Sequence, residues 1–439
     1  MFDEMEKKNR QSLSADVRGR GFADRVSLER ATEWLDSHSA ALQAEEIELG
    51  AAAGRVLAAE VATESAIPAT DRAGMDGYAV RSADTVGAGD YNPLELALVE
   101  AGQGLAESQA ASISSGEALP HGADAILPFE LARVKGAMTG NAALPTADAK
   151  ADIASLPAAG AQVLEVFGAA AEGWGVERKG QQLQAGARVF ERGRMECGRT
   201  LLAQVIGLLA SLSVERVMVV RRPRVLILVN GPKRCGEGNV QGDANSPMLR
   251  ALVERDGGSV VEVMAQEVEA TGFAAGYDSD LILVAGRSGT GWDDTAALTI
   301  ARVGELAMHG VAIRPGGSAG MGVIGGTPVL LLPGDPLDCL YAYEMLAGRM
   351  VRRLGGRAVG LPFAVVEAEV GRKIVSMVGV VDVCRVRLED GQVEALGSAE
   401  SGGLASAVRA DGFVVIPAPL EGYAPGTRVS VYVYGGGEV

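Results

Sequence analysis

The run Val225-Leu226-Ile227-Leu228-Val229 constrains the fold more than any other stretch of the chain. Five apolar residues in succession leave no polar face, so a strand here must be covered on both sides. Such strands belong to parallel sheets flanked by helices. The pattern continues with a predicted helix over Met248 to Asp256, apolar runs Val260 to Val263 and Asp280 to Ala285, and a helix around Thr295 to Arg302. The run Val329 to Leu332 and a helix over Cys339 to Leu354 complete it, and it stops at Gly355-Gly356. Strand–helix alternation of this kind predicts a doubly wound α/β domain.

The flanks read differently. Residues 1 to about 23 are polar and rich in both charge signs, as a flexible tail is. Ser27 has the place of an N-cap, with Leu28, Ala31, Trp34 and Leu35 following at helical spacing. From Ile47 onward, short apolar runs alternate with Gly and Pro, the mark of a mostly-β module. Val176 to Arg192 reads as a strand pair, Cys197 to Leu212 as a helix, and 137 to 161 as a loose connection. From Phe363 the alternation returns without helices, over Val365 to Val370, Cys384 to Leu388, Phe413 to Ile416 and Val429 to Tyr434. The expected fold class is multidomain α/β plus β, and 439 residues allow about three domains.

Composition narrows the function. The net charge of −16 repels phosphate backbones and anionic membranes, which argues against nucleic-acid and membrane partners. Cys197, Cys235, Cys339 and Cys384 lie far apart, as do His38, His121 and His309, so neither a zinc centre nor a disulfide framework is indicated. The first twenty residues lack the apolar core of a secretory signal, and the longest apolar stretch, Leu201 to Leu212, is too short to span a bilayer. A cytoplasmic protein is expected.

In an open α/β sheet ligands gather at the carboxyl ends of the strands. Two loops stand there. Gly286-Arg287-Ser288-Gly289-Thr290-Gly291 offers amides and hydroxyls to a phosphate, with Asp293 and Asp294 beside it for a divalent cation. Pro333-Gly334-Asp335-Pro336 leads into a helix. On shape alone both are equally well plain tight turns. Arg314 to Gly322 is glycine-dense and reads as a ligand loop or a solvated linker, and Asp243 with Asn245 reads best as a helix cap. Asp76-Gly77 reads as a turn, Arg81 with Asp84 as a surface pair, and Ser114-Ser115-Gly116 as a turn. Ser288 lacks the partners of a Ser-His-Asp site.

Several blocks together resemble the molybdenum insertases, the bacterial MoeA proteins and the gephyrin E domain. They are Val56 to Glu60 with Ile67-Pro68, Met75-Asp-Gly-Tyr-Ala-Val-Arg81-Ser-Ala-Asp84, Ile113 to Gly116 with Pro120 to Ala125, and Gly286 to Asp294. Arg314-Pro-Gly316, Leu332 to Pro336 and Ser401 to Pro417 follow in the same order, so the match runs from about residue 24 to the end. The resemblance implies a linker domain (24–57 with 159–221) and an inserted mostly-β domain (58–158). It also implies an α/β molybdopterin-binding domain (222–357) like the MoaB/MogA adenylyltransferases and a small C-terminal β-barrel domain (358–439).

It further implies molybdenum cofactor biosynthesis: molybdate inserted into adenylylated molybdopterin with Mg²⁺-assisted release of AMP, in a homodimer. Molybdopterin adenylyltransferase and an apo-molybdoenzyme are the implied neighbours in the process. The nucleotide would take Gly286, Ser288, Gly289, Thr290, Gly291, Arg314, Pro333, Gly334, Asp335 and Pro336. Mg²⁺ would take Asp243 and Asp294. Ser115 would face molybdate, and Asp76 would come from the other subunit.

Departures cluster in that same region. Lys233 stands where the family has an acid, Gln181 and Gln182 replace two carboxylates, Gly317 replaces a cation, and Ser115 and Asp335 replace Thr and Asn. A divergent insertase and a catalytically impaired paralogue that carries molybdopterin for one molybdoenzyme both fit this pattern. Use of the scaffold for another nucleotide-like ligand is opposed by the Met75 to Tyr78 block.

Overall fold

The computed structural model describes residues 16–100, 102, 104–135, 162–189, 200–230, 243–265, 278–397 and 402–435, with the backbone of 234–235 and 239–240. The chain forms two compact units. One comprises Glu60–Glu191 with Ser211–Ser213, and the other Met1–Ala59, Arg192–Ala210 and Val214–Val439.

The first unit is built on a six-stranded sheet in the order Ala125–Pro128, Gly77–Val80, Gln109–Ile113, Leu94–Val99, Gln162–Val166, Ala132–Val134. Neighbours run antiparallel except Leu94–Val99 with Gln109–Ile113. Gly77 belongs to a strand and not to the turn expected of Asp76-Gly77. A Cβ there would lie 2.3 Å from the Leu127 carbonyl oxygen, so glycine permits the close pairing. The predicted strand pair over Val176 to Arg192 reduces to Val176–Glu177, paired with Arg72–Ala73, plus isolated bridges.

The second unit contains the predicted α/β domain. Its elements are β1 (Arg224–Val229), α1 (Asn245–Arg255), β2 (Ser259–Ala265), β3 (Leu281–Ala285), α2 (Ala296–Val303), β4 (Glu305–His309), β5 (Gly320–Ile324) and β6 (Thr327–Leu332). Helix α3 (Pro336–Ala342) runs through a π turn (Tyr343–Ala347) into α4 (Gly348–Leu354). The sheet order is β2-β1-β3-β6-β5-β4. The first four strands are parallel, while β5 and β4 are antiparallel additions at one edge.

Side chains alternate across this sheet. Val225, Ile227, Leu281 and Leu283 pack toward α1 and α4, and Leu226, Leu228, Ile282 and Val284 pack toward α2. Each fully buried Leu or Ile of this kind contributes about 1.5–3 kcal/mol, which explains the unbroken apolar runs. The solvated-linker reading of Arg314 to Gly322 fails. Gly320 opens β5, and Cβ atoms at Gly320 and Gly322 would approach the carbonyls of Met308 (2.9 Å) and Glu305 (2.1 Å), so these glycines admit β4 closely.

Leu28–Ser37 is helical, with the Ser27 hydroxyl accepting from the Arg30 amide at 3.3 Å, and its Ala31 and Leu35 join the α/β core. Of the helix expected over Cys197 to Leu212, Ala203–Ser211 is helical, residues 200–202 and Leu212 are not, and 197–199 lie outside the described residues. C-terminally, β7 (Ala364–Val370), β8 (Val381–Glu389), β9 (Gln392–Ala395), β10 (Gly412–Ile416) and β11 (Arg428–Val433) pair in the order β8-β9-β7-β11-β10. The β8–β10 pairing closes them into a five-stranded barrel filled by Val370, Val386, Val393, Val414 and Val431. A short helix, Gly403–Val408, interrupts the all-β pattern expected there.

Candidate functional site

Strand β1 leads outward to β2, whereas β3 leads to the opposite side of the sheet, so the chain reverses direction between their carboxyl ends. That reversal opens a crevice which backbone groups line, and such crevices are where α/β sheets bind ligands. Asn230, at the end of β1, donates from Nδ2 to the Gly286 carbonyl at 2.9 Å, while the Gly286 amide donates to the Leu332 carbonyl at 2.9 Å. The turns after β1, β3 and β6 are thereby tied together. Gly286 has φ +90°, and Gly334 packs directly on its Cα.

Beyond Gly286 the loop folds around a carboxylate. The Gly291 amide donates to Asp294 Oδ2 at 2.7 Å, and Cβ atoms at Gly289 and Gly291 would come within 2.7 and 3.0 Å of the same oxygen. Two of the loop's glycines are therefore required by Asp294 itself. Ser288 is buried, its hydroxyl 3.2 Å from that of Ser318 and donating to the Leu332 carbonyl at 3.3 Å. His309 Nε2 donates to the Ser288 carbonyl at 2.8 Å, which fixes its tautomer and leaves Nδ1 buried with no partner among the described residues. Burial holds this imidazole below its usual pKa, against the opposing pull of the Ser288 carbonyl and Asp294.

Asp243 and Asp335 act as caps. Asp243 Oδ1 accepts from the amides of Asn245 and Ser246, both at 3.0 Å, and Asp335 Oδ1 accepts from Leu337 (2.9 Å) and Asp338 (3.2 Å) at the start of α3. Pro333 is buried beneath this turn, and Pro336 occupies the first turn of α3. Between them sits Asn245, 7% exposed, whose Nδ2 donates to the Gly334 carbonyl at 2.9 Å and whose Oδ1 is buried with no hydrogen-bond partner among the described residues. A buried acceptor of this kind calls for an explanation, and a ligand donor is one.

Arg314 stands apart from the expected anion role. Ile313–Arg314 pairs in parallel with the start of β8, in register Arg314 to Asp382, and the guanidinium forks onto that carboxylate at 2.6 and 2.5 Å. Asp382 is only 1% exposed, so the pair is a buried link between sheet and barrel. A different arginine sits by this turn. The Arg25 guanidinium lies 3.4 Å from where a Cβ of Gly317 would be, and no carboxylate pairs with it among the described residues. The residues just before it, up to about 23, were expected to be a flexible tail. Instead, the Gly19 amide donates to the Thr290 carbonyl at 2.9 Å, Gly19 packs on the Trp292 ring, and Phe22 meets His309 edge-on at 4.9 Å.

On the other unit, Asp76 and Ser115 are brought together, the Ser115 amide donating to Asp76 Oδ1 at 2.7 Å, and both residues are exposed. The neighbouring Gln181 accepts from the Arg178 amide at 2.9 Å and shapes a turn. Lys233 lies outside the described residues. Among the described residues no group of three His, Cys, Asp or Glu side chains converges as a metal cage. Asp243 and Asp294 are hard-oxygen donors, the type that Mg²⁺ takes when it is shared with substrate phosphates and not caged by protein alone.

The sequence did not single out Asn230, Arg25, Ser318 or His309. Asn230 ends an apolar strand at a rim position, which is a usable signal. The others come from remote segments and carry none.

Family models match in chain order: the MoeA N-terminal region (domain I and II) over 26–213, a "Probable molybdopterin binding domain" over 227–353, and the MoeA C-terminal region (domain IV) over 367–434. Molybdopterin molybdenumtransferase 2 of Mycobacterium tuberculosis is 30% identical over 342 residues, covering 72% of this chain and 75% of that protein. The chain belongs to the molybdopterin molybdenumtransferase (MoeA) family. Molybdopterin molybdenumtransferase 1 of the same organism is 26% identical over 437 residues, covering 88% and 93%. Two crystal structures of the MoeA protein of Pyrococcus horikoshii have TM-scores of 0.69 and 0.70 at 28% and 24% identity. They cover 93% and 94% of this chain and 99% and 100% of their own. Membership in the MoeA family places the chain in molybdenum cofactor biosynthesis. No helix among the described residues is long and apolar enough to cross a membrane.

Proposed function

We propose that the chain inserts molybdate into adenylylated molybdopterin with release of AMP. The observation that carries this reading is the β1/β3 reversal, where the turns after β1, β3 and β6 are tied together and Asn245, bonded to the last of them, has an Oδ1 with no partner among the described residues. The amides of Gly286 to Gly291 and the hydroxyls of Ser288 and Thr290 take the phosphates. Asn245 Oδ1 accepts from a donor on the pterin or adenine edge. Asp243 and Asp294 each accept backbone amides through one oxygen, and they are the residues that would hold Mg²⁺. That ion would supply charge neutralisation for the leaving phosphate.

Molybdate needs a cation that Arg314 cannot spare, since Asp382 neutralises it. Arg25 supplies it, beside the glycine that replaces the family's second cation. Asp76 and Ser115 are delivered by the second subunit of a homodimer, upstream of an apo-molybdoenzyme and downstream of the adenylyltransferase.

Backbone capture of the Asp243 and Asp294 carboxylates also favours a second reading, in which the chain carries molybdopterin without turnover. One experiment separates them: purified protein mixed with adenylylated molybdopterin, Mg²⁺ and molybdate. AMP release with activation of an apo-molybdoenzyme supports insertion. Tight binding without AMP supports the carrier, and the absence of binding removes both.

A further inference from the structure

The amino-terminal end of the parallel sheet, opposite the crevice, carries a cleft that the proposed reaction does not use. Three turns wall it: Gly54–Val56, Val220–Arg222 ahead of β1, and the residues after α4 that end at Arg357, with Gly257 at its floor. It is half open to solvent, and four arginines line it.

Two of the four are already neutralised. Arg221 forks onto Asp280 at 2.7 and 3.0 Å, and Arg55 pairs with Glu45. Arg222 and Arg357 have no carboxylate within ion-pair distance among the described residues. Arg222 is exposed at the mouth. Arg357 is half-buried, donating to the carbonyls of Gly54 (2.6 Å) and Arg255 (3.1 Å). Its guanidinium lies flat over Gly257, where a Cβ would come within 2.4 Å of Nε. Burial first, and then the positive neighbours Arg222, Arg352 and Arg55, pull its pKa down against the opposing effect of Asp256. In a chain of net charge −16, two unneutralised guanidinium groups facing one small cleft are an arrangement that an anion would complete.

We propose that this cleft is a second anion site, binding a free tetrahedral oxyanion of the phosphate, sulfate or molybdate class between Arg222 and Arg357. The guanidinium fork matches the oxygens of such an ion in pairs. The enclosed space takes about one water-sized group, which excludes a nucleotide or a pterin and lets an inorganic ion seat an oxygen at the open mouth. Gly54, Gly257 and Gly355 keep side chains off part of the wall, Val56 and Val220 complete it, and the arginines supply its charged groups.

The test is calorimetric titration of the full chain with inorganic phosphate, sulfate and molybdate in turn, at fixed ionic strength against a chloride control. Wild type is compared with Arg222→Ala and Arg357→Lys. Saturable binding of at least one oxyanion is expected, weakened tenfold or more in Arg222→Ala. Because Arg222 is exposed, the melting temperature of that variant in chloride should equal that of wild type, and the rise in melting temperature on adding the oxyanion should be lost. The tightest binder identifies the physiological class. Two results overturn the proposal: no oxyanion binds more strongly than chloride, or Arg222→Ala binds as well as wild type.

Discussion

Asp294 serves two masters, and its variants can tell them apart. Its Oδ2 organises the Gly286 to Gly291 loop through the Gly291 amide, while its charge is what a metal would need. Asp294→Asn keeps an acceptor for that amide and removes the charge, so the loop should survive at a cost of about 1 kcal/mol in unfolding free energy. AMP release should nonetheless fall by about a hundredfold or more, because the cation loses a hard, charged ligand. Turnover within a few fold of wild type in the Asn variant would move the metal elsewhere. His309 gives a residue-scale prediction of a different kind. Its folded pKa lies below the usual 6.5, so the unfolded chain takes up a proton first as pH falls. The stability His309 contributes is complete above 6.5 and is lost as pH falls below it toward the folded value. Denaturant unfolding at about pH 7.5 and about pH 5.5 should show this loss, and His309→Gln should flatten it while keeping a donor for Ser288.

Among the elements, those with the strongest pattern were readable from sequence, and those held by remote contacts were not. The runs at Val225 and Asp280 mark β1 and β3 to within one residue, because burial on both faces leaves no polar position to blur the ends. The Gly320–Ile324 strand was hidden because close backbone approach replaced its side chains with glycines, and glycine-rich stretches read as linkers. Residues 16 to 25 were hidden for the opposite reason. Their polar composition is that of a tail, and only contacts with Thr290, Trp292 and His309, far along the chain, hold them. The same limit applied to the site: the glycine loop was legible as a motif, whereas the pairing of Arg314 with Asp382 depends on a strand register between two domains. The N-terminal segment can be tested as an element. Arg25→Ala should raise the molybdate concentration for half-maximal AMP release about fivefold, the worth of roughly 1 kcal/mol for a partly exposed charge. Gly317→Lys in that background, whose Cβ would start 3.4 Å from the former guanidinium, returns a cation to the vacated region and should restore it. An unchanged molybdate dependence in Arg25→Ala would leave the segment a purely structural strap.

At the scale of the whole molecule, the residues assigned to one reaction are divided between two compact units, Asp76 and Ser115 on one and the glycine-lined crevice on the other. A two-fold dimer that shares its sites between subunits makes a quantitative statement about mixtures. Asp76→Ala and Asp294→Ala should each be inactive alone. Co-expressed in equal amounts, half the dimers carry one of each. In such a heterodimer, one site receives both intact residues and the other receives both mutations. Activity should therefore return to about a quarter of wild type, since half the molecules regain one of two sites. Sites completed within a single subunit give no recovery, because every chain in the mixture then lacks one residue. The two arrangements differ in whether any activity returns at all, so AMP release from the co-expressed pair, measured against each variant alone, decides between them without a structure of the assembly.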